Sequence, residues 1–201
     1  MGVLQAVLTA FDVPALDEVV DSEFRLEHRL CHPQQYGIAV SDVREACARA
    51  ESLGAGPFVR AFVPSPGWTE RGQQRPCKLE VALGYADDAQ LEFLGPGQGT
   101  EFYSGVLGGR HAVLHHAGFY QNEMARLAGS LEGAGFPEVV RGGTSLGPAL
   151  SFDFRYFDTR ERLGVYCEVL DFRWLSRLRF DLEPLIRGYA SVARRVAGFS
   201  R

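Results

Sequence analysis

The chain has no C-x-x-C pair: Cys31, Cys47, Cys77 and Cys167 stand far apart in its 201 residues. That spacing argues against a zinc ribbon or a disulfide framework and implies a reducing, cytoplasmic setting. The opening "MGVLQAVLTAFDVPALDE" lacks a basic n-region and turns acidic early, unlike a secretory signal. No apolar run is long enough to span a bilayer. Positive charge is not in surplus either, and a formal net charge of -4 gives no reason to expect nucleic acid or an anionic membrane as partner. The glycine loops "PGQG" and "RGG" lack the strand-to-helix context of a phosphate-binding loop, so no nucleotide reading follows. What remains is a soluble intracellular protein, 46% hydrophobic and 23% charged, of a length that suits one domain or two small fused modules.

From Gln35 the pattern becomes regular. "QYGIAV" reads as a strand, and "SDVREACARAESLGAG" as a helix capped by Ser41 or Asp42, with Val43, Ala46, Cys47 and Ala50 on its apolar face. Three strands follow: "GPFVRAFV", then "CKLEVALGY" and "QLEFLGP" joined at an Asp87-Asp88 turn. After a glycine-containing connector the same order returns. "VLHHAGFY" is a strand and "QNEMARLAGSLEGAG" a helix; "FPEVVRG", "ALSFDFRYFDT" and "VYCEVLDF" are strands. Two βαβββ units of similar length indicate a duplicated module. Module one covers about residues 32–100 and module two about 110–172, within a domain spanning 32–172. Residues 1–31 form an N-terminal extension with helical apolar spacing at Val3, Leu4, Val7, Leu8 and Phe11. Residues 173–201 hold an amphipathic C-terminal helix starting at a capping Asp181. Its Arg187, Arg194 and Arg195 would suit a membrane surface. With no second membrane signal, packing on the domain or on a second subunit is the reading adopted.

Superimposing the units places Gln35 on His116 and Glu92 on Glu168, four residues able to bind a metal at matching points of the repeat. Alternation along a strand chooses between the two adjacent histidines. Gln35 shares a face with Gly37 and Ala39, and His116 shares one with Gly118, whereas His115 falls on the opposite face with Ala117 and Phe119. His116 is therefore the candidate ligand and His115 a member of the packing layer. Small neighbours would leave the ligands room for a metal, water and substrate. Taken singly, each of the four has an ordinary reading as a strand-end polar group, an exposed carboxylate or a structural histidine. Glu168 in "VYCEVL" nonetheless needs a partner, because a lone carboxylate in apolar surroundings is costly. Tyr120, Tyr166 and Arg110 could line the cavity, and Trp68 and Arg71 in the long loop could cover it.

Through "QYGIAVSDVREA", "LGAGPF", "AQLEFLGP", "LHHAGF" and "YFDTRERLGVYCEVL", in that order, Gln35 to about Phe172 resembles the vicinal oxygen chelate superfamily. This is the fold of glyoxalases, bleomycin-resistance proteins and extradiol dioxygenases, and the likeness is nearest to glyoxalase-like metal-dependent isomerases and lyases. The resemblance implies an α+β fold in which two tandem βαβββ modules form a curved eight-stranded half-barrel around a metal, with the terminal helices as additions. It implies Gln35, Glu92, His116 and Glu168 as metal ligands, with Glu92 and Glu168 also catalytic. The ion would be divalent: Zn, Ni, Co, Mn or Fe. The implied activity is that of an isomerase, epimerase or lyase moving a proton next to the carbonyl of a small organic metabolite through a metal-bound enolate, with Glu168 as the base. Gln35, where many relatives have histidine, counts against dioxygenase chemistry. A non-catalytic small-molecule binding or resistance protein is the alternative. The resemblance also admits a homodimer.

Overall fold

The computed structural model describes residues 2–120, 123–145, 150–174, 178–179 and 188. Three helices precede the first strand: α1 (Val3–Phe11), α2 (Leu16–Val19) and α3 (Ser22–His28). The apolar spacing read at the N-terminus buries Val7, Leu8 and Phe11. The Asp87 carboxylate accepts from Leu4 N at 2.9 Å, satisfying one free N–H of the first turn of α1. The two shorter helices have too few turns for a periodic signal. The Asp21 side chain caps α3 by accepting from Phe24 N.

Module one then runs β1 (Gln35–Val40), α4 (Val43–Ser52), β2 (Val59–Ser65), β3 (Thr69–Glu70), β4 (Gln73–Gln74), β5 (Cys77–Ala86) and β6 (Ala89–Leu94). Asp42, one of the two expected caps, accepts from Glu45 N, and Val43, Ala46, Cys47 and Ala50 are the buried residues of α4. A connector with one 3-10 turn at Ser104–Val106 leads to module two. That module contains β7 (Ala112–Tyr120), α5 (Met124–Gly133), β8 (Glu138–Ser145), β9 (Leu150–Phe157), α6 (Arg160–Leu163) and β10 (Tyr166–Trp174), followed by β11 (Leu178–Arg179). The segment "RERL" between β9 and β10 winds one helical turn and stops at Gly164 with φ 75°. The expected C-terminal helix from Asp181 lies outside the described residues. Among those that are described, no helix is long and apolar enough to cross a membrane.

All strands of the described residues join one sheet in the order β2-β5-β6-β1-β7-β10-β9-β8-β3-β4, with β11 on β10. The first four and the next four are the βαβββ strands of the two modules, each set in the same internal order, and they meet through the antiparallel β1–β7 pair. This is the paired βαβββ arrangement implied by the resemblance, with eleven strands rather than eight among the described residues. Of the three additional strands, β11 extends the sheet beside β10 and the other two have a common origin. The Pro/Gly-rich loop after β2 carries a small hairpin, β3–β4, whose first strand pairs with β8 of the other module. Only Pro66, Gly67 and Trp68 separate β2 from β3, a span of at most about 14 Å. The two ends of the sheet are therefore drawn together, and β2 and β8 approach each other. Such strap pairing is non-local, and strand periodicity carries no trace of it.

Two apolar layers result. One joins the outer sheet face to the helices, with Ile38, Phe93, Ala117, Phe119, Leu127 and Val169 among its members. The other fills the inner face and is rich in rings: Trp68, Phe102, Tyr103, Phe154, Tyr156 and Tyr166.

Two modest effects follow from the helices. Gly129 lies exposed in α5, and an added Cβ meets nothing within 4 Å. Gly129→Ala is expected to stabilise the fold by about 0.5–1 kcal/mol, measurable by denaturant unfolding. His28 of α3 is buried, with Nδ1 3.1 Å from Ser130 Oγ on α5 and its ring against Phe24 and Phe136. Burial lowers its proton affinity, opposed by Glu27. The unfolded chain thus takes up this proton more readily than the folded one. Stability is complete above the unfolded value near 6.5 and declines as the pH falls towards the lowered folded value. His28→Gln should flatten the fall in thermal midpoint between about pH 7 and about pH 5.

Candidate metal centre

The four central strands, β6-β1-β7-β10, bring the predicted ligands into two rows across the sheet. Gly37 of β1 is registered with Glu92 of β6 on one side and with His116 of β7 on the other. Gly118 of β7 is registered with Gln35 of β1 and with Glu168 of β10. Each row reads candidate ligand, glycine, candidate ligand. The glycines make the depressions into which the flanking side chains lean. A Cβ on Gly37 would stand 1.9 Å from His116 Cε1, and one on Gly118 would stand 2.4 Å from Gln35 Oε1. Here the expectation needs correcting. The space over Gly37 and Gly118 is not left for substrate, because the side chains of His116 and Gln35 from the neighbouring strands occupy it.

Glu92, His116 and Glu168 offer ligand atoms all within 4.8 Å of one another. His116 Nε2 is the hub: Glu168 Oε2 lies 3.0 Å away, Glu92 Oε2 3.3 Å and Gln35 Oε1 3.4 Å. One ring nitrogen offers a single directional bond in its plane and cannot serve three oxygens. Accordingly Glu92 Oε2 and Glu168 Oε2 make no hydrogen bond among the described residues, although both are buried and within ion-pair reach of the ring. Donors bound about 2.0–2.2 Å from a common ion lie about 3 Å apart in neighbouring positions. The observed separations and the two orphaned oxygens fit a cation among these four groups. Three oxygens and one imidazole nitrogen form a hard donor set suited to a divalent first-row ion.

The electrostatics agree. Burial pushes the Glu92 carboxyl above the usual carboxylate range; contact with His116 opposes this and the charge of Glu168 adds to it. Burial also pulls the His116 ring down, but the Glu168 and Glu92 carboxylates outweigh it and hold the ring up to about 9. Without a metal, the ring proton supplies the positive charge that the carboxylates require. The phenols of Tyr103, Tyr120 and Tyr156 are raised well above their ordinary value, by burial first and the nearby carboxylates second, so they remain protonated.

His115 is the second correction. The β1–β7 register passes from Gly37 opposite His116 to Ile38 opposite Leu114, so His115 is an extra residue in β7. This β-bulge interrupts the alternation and turns both histidines to the inner face. His115 lies among Phe102, Tyr103, Tyr156 and Tyr166, not against the helices. Strand periodicity assumes an unbroken pleat, and the sequence gives no sign of the bulge.

Gln90 was not anticipated, although it shares a strand face with Glu92. Its Oε1 accepts from Gln35 Nε2 at 2.8 Å and from the Tyr120 hydroxyl, while its Nε2 donates to Tyr85 Oη at 2.9 Å. Because the Gln35 amide nitrogen is engaged there, its oxygen is left facing His116. Phe102 and Tyr103, read only as connector, enter the inner layer, as does Tyr156, whose alternation with Phe152 and Phe154 was available. Tyr103 Oη and Tyr156 Oη lie 3.1 Å apart. Trp68 is fully buried on Phe102, Tyr103 and Phe154, and its Nε1 donates to Glu70. Arg71 is exposed on the strap, its N bonded to Val139 O. Arg110 bonds the carbonyls of Leu107 and Val106 in the connector instead of facing the ligands.

No protein-family model and no curated protein matches the chain. Among solved structures it is similar to the methylmalonyl-CoA epimerase of Mycobacterium tuberculosis, at 15% identity and TM-score 0.47 over 70% of this chain and 87% of that one. A variant of the Streptomyces coelicolor methylmalonyl-CoA epimerase in complex with 2-nitronate-propionyl-CoA matches at 13% identity and TM-score 0.46, over 70% and 96%. A hypothetical protein from Bacillus halodurans matches at 14% and 0.47, over 68% and 91%.

Proposed function

We propose that the chain is a metal-dependent isomerase, epimerase or lyase that moves a proton beside the carbonyl of a small organic molecule. The observation carrying this reading is the convergence of Gln35, Glu92 and Glu168 oxygens on His116 Nε2, with two carboxylate oxygens buried and unmatched among the described residues. A divalent ion bound there supplies Lewis acidity for a substrate oxygen. The protein's own groups do the rest. Glu168 takes the proton from carbon. Glu92, whose carboxyl burial holds above the usual range, keeps its place or serves the opposite face. Protonated phenols of Tyr103 and Tyr156 provide donors near the carboxylates, and the surrounding rings limit water.

A second reading, capture of an apolar compound without turnover, is favoured by the aromatic inner layer of Trp68, Phe102, Phe154 and Tyr166. Metal content separates the two. Purified protein is expected to carry about one divalent first-row ion per chain, with none in His116→Ala. Solvent deuterium should then enter candidate carbonyl compounds at the carbon beside the carbonyl. A wild-type protein that binds no divalent ion overturns the catalytic reading.

A further inference from the structure

A histidine that binds a metal through one ring nitrogen must carry its proton on the other, and that N–H needs an acceptor. His116 directs Nε2 at the three oxygens, so the question falls on Nδ1. The partner of Nδ1 is His115 Nδ1, 3.1 Å away, with the two rings perpendicular and both buried. The β-bulge is what makes the contact possible, since in a regular strand adjacent side chains leave opposite faces. With a neutral His116 ring, the form that metal binding through Nε2 requires, a bond between the two Nδ1 atoms has two settings. Either His115 donates, and His116 then holds its proton on Nε2, where it blocks a metal. Or His116 donates, and its Nε2 lone pair is free. In the second setting His115 carries its own proton on Nε2, an atom without a hydrogen bond among the described residues.

We propose that His115 is a positioning residue for the metal centre: its Nδ1 accepts the bond from His116 Nδ1–H and fixes the ring orientation and tautomer that leave His116 Nε2 to the metal. The bulge is thereby a built part of the site, and the ring contacts of His115 with Phe102, Tyr103 and Tyr166 hold the acceptor in place. This inference rests on the metal reading above and adds to it the residue that prepares the ligand.

Long-range proton–nitrogen NMR of the zinc-loaded wild-type protein reads the tautomers directly. His115 should be neutral with its proton on Nε2, and His116 should be protonated on Nδ1. His115 protonated on Nδ1 overturns the inference, and this measurement needs no variant to fold. Zinc titrations of variants add a second arm. His115→Phe keeps a ring but offers no acceptor, and should lose about 10–100-fold in zinc affinity. His115→Asn places a carbonyl oxygen near the Nδ1 position and should recover most of that loss. Wild-type affinity in His115→Phe, with wild-type protein binding zinc, defeats this inference alone. Absence of zinc binding by the wild-type protein defeats the metal reading and this inference with it.

Discussion

Replacing Gly37 with alanine is expected to remove metal binding while leaving the chain folded. The added Cβ would lie 1.9 Å from His116 Cε1 and 2.1 Å from both ring nitrogens, distances that no carbon sustains. The backbone at Gly37 is not in the left-handed region, so alanine meets no conformational penalty there and the effect is steric. Relief requires the imidazole to leave the depression over β1, which takes Nε2 away from all three oxygens. Losing an outer partner of a ligand costs about 10–100-fold in affinity, and losing the ligand itself should exceed that range. Rearrangement in a packed interior adds about 1–3 kcal/mol of destabilisation. Calorimetric titration with zinc or cobalt, run beside denaturant unfolding, separates the two effects. Gly129→Ala is the control, because it adds the same methyl group in open space. Unchanged affinity in Gly37→Ala would show that the His116 ring is not a ligand in this position.

Changing Glu168 to glutamine should have the opposite signature: metal retained, turnover gone. The amide preserves one oxygen donor and the shape of the side chain, so an ion held also by Gln35, Glu92 and His116 should remain. An amide cannot accept a proton from carbon. General-base contributions are typically about 10²–10⁴-fold, and turnover should fall by that amount with metal content near one ion per chain. Glu92→Gln is the informative companion. If Glu92 serves chiefly as a ligand, its variant should lose more metal and less catalysis per bound ion. Full solvent-deuterium incorporation by Glu168→Gln would move the base to another residue, with Glu92 first in line.

How much of this was legible in the sequence depends on how local each signal is. The two modules could be read because each strand and helix carries its own period, and because duplication lets one half check the other. Gln35, Glu92, His116 and Glu168 emerged from that check together with alternation. Both methods treat a strand as a regular pleat, and they misplace His115, where one extra residue in β7 reverses the face of its side chain. They also overlook Gln90, whose importance comes from its bonds to Gln35 and Tyr120 across β1 and β7. The roles of Gly37 and Gly118 were half visible. Sequence placed small residues beside the candidate ligands, but only the cross-strand register reveals that a ring and an amide from the neighbouring strand fill the gap. Trp68 lay in a loop whose Pro and Gly content says turn and nothing about destination.

That loop also decides whether the two halves can be treated as exchangeable parts. Its hairpin belongs by chain to the first half and by hydrogen bonding to the second, since Thr69 and Glu70 pair with Arg141 and Val140. A second half grafted onto a shorter first half would present β8 as a bare edge, inviting unrelated strands to add to it. Recombining duplicated units of this kind therefore means moving the buckle along with the half it fastens.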